Sequence, residues 1–153
     1  MFQKVMKKLI VIVSLVILTG IVLYGVYSLF LKRTPEKILK TVFNISLKDF
    51  DYSIDVFEEE WCPNGDGHTL VAYKFNKLTQ ENIDYLKKVA LKPLPISKID
   101  IQKIDYNRIP EKYFRSDAGY YIYELLSTHD PRDYQVLIID TVKKMLVLYY
   151  QYM

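Results

Sequence analysis

Read for apolar and polar positions, the chain falls into one long apolar block followed by several short, mixed ones. The block is residues 9–31, which opens on Leu9 and closes on Leu31. It holds 23 positions without a charge, 16 of them Leu, Ile, Val or Phe. At roughly 0.3–0.6 kcal/mol each, those side chains favour entry into lipid by about 5–10 kcal/mol. As a helix the segment reaches about 34 Å, enough to cross a hydrocarbon core of about 30 Å. The pattern therefore predicts a short basic tail at 1–8, a transmembrane helix at 9–31 and an extramembrane domain at 34–153.

Lys4, Lys7 and Lys8 precede the block, and Lys32 and Arg33 follow it. The competing reading is a secretory signal cleaved near Ser28. Against it, the run exceeds the usual core of about 7–15 residues and continues through Leu29, Phe30 and Leu31. A basic start before an apolar run predicts a single-pass protein of the cell membrane with an extracytoplasmic C-terminal domain, although Lys32, Arg33, Lys37 and Lys40 slightly outnumber Lys4, Lys7 and Lys8 in the positive-inside tally. Only Lys32 and Arg33 separate the block from the next element, so the domain is expected close to the lipid surface.

Beyond the block the periods shorten. Thr34, Pro35 and Glu36 supply a cap, a first-turn proline and an acid for a helix with Ile38, Leu39, Val42 and Phe43 on one face. Phe50, Tyr52, Ile54 and Val56 then alternate with Asp51, Ser53 and Asp55, the period of a half-buried strand over 48–61. Val71, Tyr73 and Phe75 repeat that period over 69–76, across a loop of turn-forming residues at 62–67. Thr79 is placed to cap a helix over 80–91, with Ile83, Leu86 and Val89 along one stripe and Pro93 and Pro95 beyond its end. Ile99 and Ile101 point to a short strand, and 110–114 to a helical turn. Three runs rich in Tyr, Val, Ile and Leu, at 119–127, 134–140 and 145–152, form a β-meander. The fold class is α+β: an N-terminal transmembrane helix, then a small domain with one mostly antiparallel twisted sheet and about two helices on one of its faces.

Charge changes this picture by exclusion. The net charge of +3 belongs to the flanks of the apolar block, since residues 34–153 hold 16 basic and 18 acidic groups. Such a domain lacks the concentrated positive face that nucleic acid requires, and Lys outnumbers Arg 17 to 4, against the preference of bidentate phosphate recognition. Nucleic-acid binding is excluded. Cys62 is the only cysteine, so no internal disulfide forms, and an intermolecular one stays open.

Candidate chemistry is sparse. Glu58, Glu59, Glu60, Asp66 and His68 gather about one loop, and 64–67 echo part of a calcium loop without its later Glu. In a strand Glu58 and Glu60 share a face while Glu59 points away, so the acids do not converge on a cation. Cys62 with His68, or His129 with Asp130, would act as a catalytic pair only if the fold brought them together. No nucleophile elbow, phosphate loop, zinc spacing or dinucleotide fingerprint is present. The reading assigns no catalytic residue, no cofactor, no metal and no small-molecule ligand.

Tyrosine is the marked excess. Seven of 14 fall after Gly119, making both faces of the last three strands aromatic or aliphatic. One face is core; the other must be covered by 96–118 or by a partner. Tyr121, Tyr123 and Tyr150, with the acidic Glu58 and Glu60, form the candidate interface. The expected function is a membrane-anchored protein-interaction module. The alternatives are an immunity protein whose acids cap a basic toxin face, and a small hydrolase using the 58–68 loop.

Overall fold

The computed structural model describes residues 2–27, 33–61, 66–89, 92–104 and 109–152. The chain divides into two compact units, Met1–Thr34 and Pro35–Met153.

The first unit is built on helix α1, Phe2–Val26. From Ile12 to Val26 its large apolar side chains are all exposed, with values from 46% to 66% for the Val, Leu and Ile among them. Thr19 is satisfied within the helix, its Oγ1 donating to the carbonyl of Leu15 at 2.8 Å. Among the described residues no helix is long and apolar enough to cross a membrane. The proposed cleavage point at Ser28 lies outside the described residues.

The second unit is α+β. Its elements run α2 (Pro35–Phe43), β1 (Tyr52–Trp61), β2 (Gly67–Phe75), α3 (Gln80–Leu86, continued by a 3₁₀ turn Lys87–Val89), β3 (Lys92–Pro93), α4 (Lys98–Ile101), α5 (Glu111–Phe114), β4 (Gly119–Leu125), β5 (Tyr134–Asp140) and β6 (Met145–Tyr152). The six strands make one wholly antiparallel sheet in the order β1-β2-β6-β5-β4-β3. The meander and the β1–β2 pair stand where the periodicity puts them. What the periodicity does not contain is the join between them, β2 on β6.

Helical elements number more than the two expected, and they cover both faces of the sheet. On the first face Ile38, Leu39 and Phe43 of α2, with Leu86 of α3, pack on Val71, Tyr73, Leu146 and Leu148. On the second, Leu94, Ile96, Ile104, Ile109 and Tyr113 pack on Leu70, Val136, Ile138 and Val147. The second cover is needed because every residue of β5 is buried, and an alternating apolar strand is buried throughout only when both its faces are covered.

Two local expectations fail for identifiable reasons. Residues 98–101 form a helical turn, not a strand, because the Ser97 side chain accepts the Asp100 amide at 3.1 Å and caps it. And β1 starts at Tyr52, since Phe50 N–H closes a turn on the Leu47 carbonyl at 3.0 Å. The Thr79 cap forms as read, reciprocated by Asn82 in a capping box.

Within β1 a bulge between Ile54 and Val56 breaks the alternation. Ile54 stands opposite Tyr73, whose ring lies in the first-face core, whereas Val56 stands opposite Ala72 on the second. The one extra residue, Asp55, therefore moves Val56 to the face opposite the one that simple alternation assigns.

Candidate functional site

Three rows of the sheet locate the proposed interface residues. Glu58, Leu70, Tyr149, Val136 and Tyr123 lie on one row of the second face; Glu60, His68, Gln151 and Tyr134 lie on the next. Glu59, Thr69, Tyr150, Gln135 and Glu124 lie on the first face. The fold therefore separates Tyr150 from Tyr121 and Tyr123 by the thickness of the sheet. Along the second face, Glu58 and Tyr123 stand four strand spacings apart, about 19 Å. The five residues do not compose one surface.

Tyr121 is core, 1% exposed. Its hydroxyl donates to Asp100 Oδ2 at 2.8 Å and accepts the Ser97 amide at 3.0 Å. Lys92 Nζ completes the group at 2.8 Å from the same oxygen. Burial drives the Asp100 carboxyl upward, but the hydrogen bonds from Lys92, Tyr121 and Ser97 together outweigh it and hold the pKa below the ordinary carboxylate value. This network fastens the 92–100 segment to β4, so the ring that the sequence offers to a partner is spent on closing the fold.

Tyr123 is half-buried and ends an aromatic ladder across the second face: it stacks on Tyr134 with centroids 5.5 Å apart, Tyr134 lies 5.8 Å from Tyr149, and Tyr149 lies 5.9 Å from His68. His68 is nearly buried, with Nδ1 at 3.2 Å from Glu60 Oε2. A histidine so placed is a packed end of the ladder. His129 is exposed, and its neighbour Asp130 is held by Arg132 instead, whose side chain lowers the carboxyl to about 2. Cys62 lies outside the described residues. Among the described residues, no group of three or more His, Cys, Asp or Glu is disposed to hold a metal ion.

What does present an accessible surface is β1. It is the ten-residue outermost strand, and among the described residues no strand pairs with its outer side. Register with β2 puts Ile54, Phe57 and Trp61 on the first face, where they are 43%, 40% and 65% exposed. Tyr150 and Tyr152, half-buried with centroids 5.2 Å apart, extend this aromatic end of the sheet; Tyr152 lies against Gly67, whose bare backbone leaves room for the ring. Glu58 and Glu60 point to the second face, and Glu59 to the first, all three exposed. β1 carries four acids and no basic residue.

At the inner end of this edge, Asp55 is already engaged: Tyr113 hydroxyl donates to its Oδ2 at 2.7 Å, and Lys112 Nζ stands 3.4 Å away. The Tyr113 hydrogen bond is the main reason its carboxyl titrates low. The other three acids of the strand, Glu58–Glu60, are exposed to solvent, with Glu60 lying beside His68. Sequence reasoning found these acids but missed Phe57 and Trp61, because the bulge that aims Phe57 outward leaves no periodic trace; the lone tryptophan closing an acidic run was the available signal.

Comparison with known proteins finds no match to a family model, to a curated protein or to a solved structure.

Proposed function

We propose that this chain is a single-pass protein of the cell membrane whose α+β domain lies on the extracytoplasmic side and binds a protein partner along β1. The observation that carries the interaction reading is the contrast between a sheet closed on both faces and a long outer strand that keeps Ile54, Phe57 and Trp61 in contact with water. Exposed apolar side chains gathered along one strand favour a partner over solvent. The anchor reading is supported by the 9–31 composition and by α1, which from Leu9 onward carries no charge and whose Thr19 hydroxyl bonds its own backbone as lipid demands.

Two measurements test the two halves. The full chain should stay with membranes through alkaline carbonate extraction, and a chain lacking 1–31 should not; release of the full chain rejects the anchor. A reporter fused after Met153 should be active only outside the cytoplasm. For the partner, a Phe57→Ser, Trp61→Ser double variant in the native host should lose a protein that co-purifies with the parent chain. Its circular dichroism should stay unchanged, and unaltered recovery rejects the β1 surface.

A further inference from the structure

We infer that the occupant of this edge is an extended, basic, amphipathic segment of another protein, added antiparallel to β1 as a seventh strand. The inference rests on the interaction reading above and names the partner's chemistry. An outer strand directs alternate backbone N–H and C=O groups away from the sheet, and a peptide that meets them extends the ladder by main-chain hydrogen bonds. Length selects β1 for this. On the far side β3 pairs with β4 only at Tyr120 and Tyr121, and it contains Pro93, which has no amide to give.

Charge selects the occupant. A second copy of this chain would set Glu58–Glu60 against an equally acidic strand that itself holds no basic residue, and like charges directly opposite destabilise a pair. A basic strand gains from the same groups. Register then gives its pattern. The residues opposite Trp61 and Phe57 meet apolar side chains on the first face, and those opposite Glu60 and Glu58 meet carboxylates on the second. The residue opposite Glu59 faces an acid on the first face. The complementary segment therefore reads apolar, basic, basic, basic, apolar. A peptide of that pattern alternates its faces as β1 does, so both partners stay amphipathic across the new pair.

The test uses the full chain in detergent micelles and a ten-residue peptide with the sequence Thr-Val-Leu-Lys-Arg-Lys-Val-Thr-Val-Thr. Binding should be saturable, fall as salt is raised, and be lost on replacing the three basic residues by Glu. Two N-methylated versions, covering alternate sets of amides, separate strand addition from charge capture. One set should lose at least about tenfold in affinity and the other little, because only one set faces β1. A Glu58→Lys, Glu60→Lys chain should prefer the acidic peptide, by about tenfold for two reversed pairs. Equal binding by both methylated peptides overturns strand addition. Absence of peptide binding overturns the occupant, while the interaction reading stands if the Phe57, Trp61 variant still loses its co-purifying protein; if that variant loses nothing, both readings fall.

Discussion

β1 and β3 are the two ends of one sheet, yet they end it by different means. β3 is two residues, one of them Pro93, and the chain that continues from it is fastened by Lys92, Asp100, Ser97 and Tyr121 into the second-face core. β1 is ten residues long, bulged, acidic and lined by exposed Ile54, Phe57 and Trp61. A proline with a buried polar lock stops a ladder outright. Acids on an edge stop only strands of the same sign, so the β1 device discriminates where the β3 device excludes.

Five measurements break or sharpen that contrast, taken here from the largest effect downward. Leu70→Ala, on β2 beside β1 in the second-face core, should cost about 2–5 kcal/mol in urea unfolding followed by near-ultraviolet circular dichroism, whereas Phe57→Ala on the exposed rim should cost under about 1 kcal/mol. Equal costs would make the rim part of the core. Tyr121→Phe removes a hydroxyl that serves both Asp100 and the Ser97 amide, and should cost about 1–3 kcal/mol; a neutral result would mean that the lock does not hold β3.

The third is the pH dependence of that lock. The folded pKa of Asp100 is depressed, so its stabilisation is complete above the ordinary carboxylate value of about 4 and is lost as pH falls through the folded one. An Asp100→Asn chain should be less stable at neutral pH and should lose less on acidification than the parent. Fourth, Tyr113→Phe releases Asp55 at the bulge and should cost about 0.5–1.5 kcal/mol. Fifth, Glu58→Lys with Glu60→Lys should leave stability within about 0.5 kcal/mol while it reverses the charge preference of the edge. A large loss of stability there would make these acids structural.

Much of the domain could be read before any coordinates. The Thr79 cap, the Pro35 start of α2 and the three meander strands are local events, fixed by side chains within a few residues of one another. The misreadings share one cause, which is competition that local pattern does not record. Alternation at Ile99 and Ile101 favours a strand, but the Ser97 cap favours a helical turn, and the turn prevails with Asp100 drawn into the Tyr121 network. Alternation over Tyr52, Ile54 and Val56 assumes an unbroken pleat, and the bulge at Asp55 reverses it, with Tyr113 and Lys112 holding the carboxylate of the extra residue. The candidate site suffered the same way: Glu58 and Glu60 could be placed on one face, whereas Tyr121, Tyr123 and Tyr150 could not be sorted into core and surface without knowing what covers each face.

By itself the sequence determined the apolar N-terminal block, the α+β class, the acid–base balance beyond the block and the strands of the meander, because composition and short periods act over one or two turns of chain. The tertiary structure decided that β2 joins β6, that Leu94, Ile96, Ile104, Ile109 and Tyr113 cover the second face, and that β1 is left outermost with Phe57 and Trp61 turned to water. Those outcomes depend on contacts between residues far apart in sequence, whose pairing is set by which apolar surfaces can bury one another and not by any local pattern.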